Sequence, residues 1–308
     1  MPLDKTYLEY PLRRHGMDHD LYPWTNLFER KPVEWPNGAK VALWITPVLE
    51  FFPLTPNEGP FRAPGHMVTP YPDYRTYTTR DYGARVGIQR IFKALDAAGV
   101  KATVPMNAAV AQRMPGLVKE VTTRGWEVAA HGLDMNALHY GGLDEETERK
   151  QITETLEVLK TASGGNVAGW LSPARSESEN TLKLLAEAGV QYICDWVNDD
   201  MPYAMTTEAG EVVSMPHTSE LEDRHLLINL GHTEAAYEEQ VLDAFTLFRN
   251  EADKHGGRIL HLALTPYVIG QPFRIRSLRN ILSKIMDDKT VWTATGAEIL
   301  TAWKAQQT

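Results

Sequence analysis

Two hydrophobic rhythms alternate along the 308 residues of this chain. Short continuous apolar runs, such as Val41-Ala42-Leu43-Trp44-Ile45, predict buried strands. Between them lie stretches with apolar residues three or four apart, which predict amphipathic helices. Strands are predicted at 40–48, 101–106, 126–130, 167–171, 190–195, 211–215, 226–229, 258–264 and 291–293. Helices are predicted at 81–98, at 107–124 with a break at Pro115, at 144–163, 178–188, 235–255 and 277–286, and at the C-terminus. In the first of these, Val86, Ile91 and Leu95 are expected on the inner side and Gly99 at the C-cap. Asp144 and Glu145 suit a helix start. Alternation of this kind implies parallel strands joined by right-handed crossovers. About seven strands fall into the alternating scheme, which predicts an α/β fold of the (β/α) barrel type.

Two segments break the rhythm. Residues 1–38 carry many Pro, Arg and aromatic residues with little periodicity, and read as an extended arm on a single domain at 39–308. Such an arm wraps its own domain or a neighbouring subunit. Residues 51–77 are rich in Pro, Gly and Tyr and too long for a simple connection, which predicts a functional loop or lid.

Composition narrows the function. The chain is 43% hydrophobic and 23% charged, with a net charge of −9, ordinary values for a soluble domain with a sizeable core. No stripe of Lys and Arg supports nucleic-acid binding. The one cysteine, Cys194, excludes a disulfide framework and a Cys-rich zinc site. The N-terminus has no apolar signal-peptide core, and no run of ~18 apolar residues spans a membrane. A cytoplasmic protein is expected. No Gly-X-Ser-X-Gly elbow, Walker loop or dinucleotide fingerprint is present.

The chemistry concentrates at predicted strand ends, where functional groups of parallel α/β folds sit. His131 ends the run 127–131 and precedes Gly132, so it reads as a general base, an oxyanion donor or a metal ligand. Glu50 follows the first strand and reads as an acid or base, or as the group that holds the His131 tautomer. Asp134 and His139 lie in the following loop, where a capping and substrate-binding role competes with zinc ligation. Arg175 stands between a strand and a helix. It is placed to orient a carboxylate, or else to pair on the surface with Glu177 or Glu179. Asp195, Trp196, Asp199, Asp200 and Tyr203 form an acid-aromatic loop suited to a polar ring, although such clusters also make plain turns. Thr265 is a hydrogen-bond donor at another strand end. His261 shares its strand face and reads as a core histidine, with His217 a further loop candidate.

Several blocks together resemble the polysaccharide deacetylase superfamily (carbohydrate esterase family 4), nearest its allantoinase-like and cyclic-imide-hydrolase-like branch. They are Asp81-Tyr82-Gly83-Ala84-Arg85-Val86-Gly87 with Gly99-Val100-Lys101-Ala102-Thr103, Pro115-Gly116-Leu117-Val118, Arg124-Gly125-Trp126-Glu127 with His131-Gly132, Trp170–Thr181, Tyr192–Tyr203, and Leu264-Thr265-Pro266 with Gly270-Gln271-Pro272. The resemblance covers roughly residues 30–305 and implies a distorted (β/α)7 barrel. Departures from the metal-dependent members are plain. Ile45-Thr46-Pro47-Val48-Leu49-Glu50 replaces the paired aspartates, Met135 the second histidine, and Thr265 the third. The allantoinase-like branch, which the resemblance describes as metal-independent with a glutamate near position 50, fits better. The resemblance therefore implies a hydrolase of a carbon–nitrogen bond in a small cyclic amide, imide or ureide. His131 and Glu50 would manage water and proton, Arg175 and the Asp195–Tyr203 loop would hold the substrate, and no cofactor is expected. A homo-oligomer (dimer or tetramer) is expected because members of this branch look like homo-oligomers. The alternatives are a deacetylase of acetylated carbohydrate, with zinc on Glu50, His131, Asp134 and His139, or an inactive ligand-binding member.

Overall fold

The computed structural model describes Met17, residues 19–55 and residues 74–307. The central part of the loop or lid predicted at 51–77 lies outside the described residues. In chain order the elements are β1 (Val41–Pro47), α1 (Tyr74–Tyr82), α2 (Ile88–Ala98), β2 (Thr103–Met106), α3 (Ala108–Arg113), α4 (Pro115–Thr123), β3 (Glu127–Ala130), α5 (Glu145–Ser163), β4 (Gly169–Trp170), α6 (Thr181–Glu187), β5 (Tyr192–Ile193), β6 (Tyr203–Thr207), β7 (Gly210–Ser214), α7 (Glu234–His255), β8 (Arg258–Leu264), α8 (Ile275–Met286), β9 (Val291–Thr293) and α9 (Gly296–Lys304).

Two sheets carry the strand orders β8-β1-β9 and β2-β3-β4-β5-β7-β6. Bridges at Ile45–Ala102 and Leu49–Met106 join them along the upper half of β1, while β9 pairs with its lower half. The circuit β8-β1-β2-β3-β4-β5-β7 is thus seven parallel strands, a distorted (β/α)7 barrel as the sequence predicts. No ladder joins β7 to β8 among the described residues. β1 and β8 are buried along their whole length, which matches their unbroken apolar runs. The helices press their apolar stripes on this wall, with Ile91, Phe92 and Leu95 of α2 and Leu278, Ile281 and Leu282 of α8 buried.

Three local expectations are corrected. Residues 226–229 are not a strand: His225–Asn229 is a π-helical turn, because a four-residue apolar run satisfies one buried helical turn as well as a strand. The segment expected as a loop up to Tyr203 runs on into β6, which pairs antiparallel with β7. Val86 points outward at 37% exposure. A π-helical segment at Gly83–Gly87 adds a residue to the turn and shifts the helical phase, so the inward stripe restarts at Ile88. The close contact explains the glycines, since a Cβ on Gly87 would lie 2.0 Å from the Pro266 carbonyl oxygen.

Candidate active site

The carboxyl ends of the strands gather three linked polar groups. The first is Glu50 with His131. His131 is buried, and its Nδ1 lies 2.7 Å from the Leu171 carbonyl oxygen. A carbonyl only accepts, so Nδ1 carries a proton and the neutral ring presents its lone pair at Nε2. That Nε2 has no hydrogen-bond partner among the described residues and faces Glu50 Oε1 at 4.0 Å. Burial pushes the Glu50 carboxyl upward, but His131, Arg224 and Arg80 outweigh it and hold the group below its ordinary value. Glu50 is therefore a carboxylate at neutral pH. Asn107, fully buried at the start of α3, fixes both strand ends: it accepts from Phe51 N at 2.7 Å and donates to the His131 carbonyl. Gly132 adopts φ +67°, and a Cβ there would meet Pro173 Cγ at 2.4 Å, so the tip of β3 needs glycine to meet the next turn.

The second group centres on Arg175. Ala174 and Arg175 both adopt left-handed backbone, φ 58° and 54°. Two consecutive non-glycine residues there store strain, and the result aims the guanidinium inward. Arg175 Nη2 lies 2.8 Å from His217 Nδ1. A guanidinium only donates, so His217 carries its own proton on Nε2, which meets Thr46 Oγ1 at 3.0 Å. The Thr46 hydroxyl then donates to His261 Nε2 at 2.8 Å, leaving the His261 proton on Nδ1. One donor at the head of this chain sets both tautomers. Burial, with the charge of Arg175 and neighbouring imidazoles, holds His217 and His261 well below the usual histidine range, so both stay neutral.

The third group is a carboxyl pair. Asp195 Oδ1 accepts from Ser172 N at 2.7 Å, and Glu177 Oε2 accepts from Trp196 Nε1 at 3.0 Å. Burial and the adjacent Asp195 push Glu177 up, and burial raises Asp195 too.

The other predicted site residues sit elsewhere. Asp134 caps its own turn, accepting from the backbone N–H of Asn136 and Ala137. His139 is fully buried against Glu148 at 2.7 Å, and Glu148 also accepts from Ser178 and Thr181. Tyr203 donates to Asn198 and packs on Tyr22 of the N-terminal segment. Asp200 is exposed on a separate 570 Å³ cavity at the open side of the barrel. The Thr265 N–H is held by Asp223, whose carboxylate also accepts from Ile269 N. The zinc alternative does not fit the donor set: among the described residues, no three His, Cys, Asp or Glu side chains converge on one point, and His139 is committed to Glu148.

Sequence reasoning missed Glu177, Asn107, Thr46, Arg80 and Arg224. Glu177 was visible only as a surface partner for Arg175. The strand expected at 226–229 hid Arg224 beside a helical turn. Arg80, whose guanidinium sits 3.7 Å over the Phe52 ring, lies beyond the loop that carries Glu50.

Comparison with known proteins agrees with this architecture. Residues 70–193 match the polysaccharide deacetylase family model. A Schizosaccharomyces pombe protein named as a candidate polysaccharide deacetylase is 25% identical, over 90% of this chain and 95% of its own length. The crystal structure of PuuE allantoinase superposes with a TM-score of 0.81 at 24% identity, covering 93% of this chain and 98% of that one. A Pseudomonas aeruginosa PAO1 protein described as a probable polysaccharide deacetylase gives 0.81 at 23% identity, covering 96% and 98%. In fold and in the matched segment, the chain is similar to proteins described as polysaccharide deacetylases.

Proposed function

We propose that the protein hydrolyses a carbon–nitrogen bond in a small cyclic amide, imide or ureide, without a metal. The observation that carries this reading is the facing pair Glu50 and His131. Two acceptors 4.0 Å apart repel unless a proton donor lies between them. A water at an ordinary hydrogen-bond distance of about 2.8 Å from each satisfies both, at an angle near 90° that suits its two O–H bonds. Such a water is the nucleophile. His131 Nε2 takes its proton as the oxygen adds to the ring carbonyl, and Glu50 stabilises the imidazolium that forms. The carbon–nitrogen bond then breaks, and the imidazolium returns the proton to the leaving nitrogen. Arg175 is the fixed donor on hand for the developing oxyanion. The name of the allantoinase neighbour favours a cyclic ureide among the candidates.

The test is turnover by the purified full-length protein on cyclic imides, hydantoins and cyclic ureides, with N-acetylated sugars as the contrasting class. Ring opening that survives chelation supports the reading. Activity confined to acetylated sugars and lost on chelation would replace it with the deacetylase alternative. No hydrolysis of any ring would leave the inactive, ligand-binding member.

A further inference from the structure

The carboxyl pair Asp195–Glu177 and the base His131 meet on a single peptide unit. The Leu171 carbonyl accepts from His131 Nδ1 at 2.7 Å. The N–H of the same peptide, that of Ser172, donates to Asp195 Oδ1 at 2.7 Å. An amide is one polarisable group, so negative charge at its N–H end strengthens its oxygen as an acceptor. The carbonyl then holds the His131 proton more firmly, and Nε2 becomes more basic.

The far side of the pair is built to keep one negative charge there. The two carboxyls lie against each other, and each retains a buried oxygen, Asp195 Oδ2 and Glu177 Oε1, with no N–H or O–H donor among the described residues. Two such oxygens are reconciled by one shared proton, leaving one net charge. Trp196 Nε1 holds Glu177 from outside, and the Arg175 charge acts on Asp195. Glu148 and Cys194 are the other titratable groups felt by the pair, while Glu50 and His217 face His131.

We propose that Asp195, paired with Glu177, is a positioning residue that sets the tautomer and basicity of His131 through the Leu171–Ser172 peptide. This rests on the reading of His131 as the base, and it assigns Asp195 a role other than substrate contact.

The experiment is side-chain 15N NMR of the full-length protein, titrating His131 with pH. Asp195→Asn keeps an oxygen for Ser172 N and removes the charge. It is expected to lower the His131 midpoint by about half a unit or more, and to move the acid limb of kcat the same way with KM little changed. Glu177→Gln keeps a carboxylate at Asp195, so His131 should follow the wild type. Ser172→Pro provides a second cut, because Ser172 already sits at φ −64° and proline deletes its N–H. It also removes the hydroxyl that accepts from Trp170 Nε1 at 2.9 Å, so Ser172→Ala, which keeps the N–H and should follow the wild type, is its control. Ser172→Pro should reproduce the Asp195→Asn shift. In the wild type, the Ser172 amide signal should track the titration of the pair, a reading that needs no variant. A His131 midpoint unmoved in Asp195→Asn or Ser172→Pro, or a Ser172 amide blind to the pair, overturns the proposal. Because the titration needs no turnover, absence of hydrolysis would count against the hydrolase reading alone.

Discussion

The two ends of the barrel each bury a glutamate, and they treat it in opposite ways. At the amino end, Glu127 accepts from Thr103 Oγ1 at 2.8 Å, Tyr192 Oη at 2.8 Å and Ala297 N at 3.0 Å. Thr103 is itself held by Trp44 Nε1 and Gly296 N. Burial raises Glu127 against the pull of these donors, and none of them is charged. At the carboxyl end, no neutral donor among the described residues holds Glu50 in this way. It is surrounded by His131, Arg224 and Arg80, and it faces a histidine nitrogen with no hydrogen-bond partner among the described residues. A closed network serves cohesion; a charged one left open is poised to engage something else. On the proposed function, the contrast gives stability to one end and chemistry to the other, the division expected of a (β/α) barrel.

The largest effect that could break this comparison is at His131. His131→Gln removes the base while keeping a donor for Leu171, and kcat should fall roughly 10²- to 10⁴-fold with little change in thermal stability. Steady-state kinetics beside a melting curve checks it. Equal loss of stability and activity would make the mouth as structural as the floor. Next comes Glu127→Ala, for which the expectation is reversed. It strands three donors and should cost about 2–4 kcal/mol by urea unfolding, with kcat retained in the folded fraction.

The seven-strand circuit and the open mouth were legible in the sequence for one reason: buried parallel strands are unbroken apolar runs, and a polar residue with glycine at their end is visible in a linear pattern. His131-Gly132 and Leu49-Glu50 are of this kind. What was not legible depends on geometry across elements. Glu177 and Asp195 stand 18 positions apart, and nothing in their spacing says that their carboxyls interact. Likewise the Thr46 hydroxyl joins His217 to His261 only because β1, the end of β7 and β8 converge. His139, legible as a ligand candidate, turned inward because Glu148 of α5 offered it a partner. The same residue types thus read alike in sequence and diverge by what faces them.

Arg175 tests the mouth at an intermediate level. Arg175→Lys keeps the charge and loses the planar fork, so kcat should fall roughly tenfold to a hundredfold. Glycine relieves the left-handed strain most fully. Arg175→Gly is therefore expected to be thermally neutral or stabilising by up to about 1 kcal/mol while inactive, whereas a purely structural Arg175 would lose stability as well.

The smallest expected effect concerns pH. The folded Glu50 carboxyl lies below its ordinary value, so the native state binds fewer protons there than the unfolded chain. Its contribution to stability is then present above the unfolded value of about 4.3 and lost as pH falls through the folded value. Glu127 is shifted the other way: its raised value favours the protonated native state, so its contribution is greatest in acid and declines as pH rises. Urea unfolding of wild type, Glu50→Gln and Glu127→Gln at several pH values separates them. The wild-type advantage over Glu50→Gln should shrink toward pH 3, and that over Glu127→Gln should shrink toward neutrality. Parallel curves for the two variants would mean that both carboxylates meet the same surroundings, and the distinction between a closed floor and a poised mouth would fail with them.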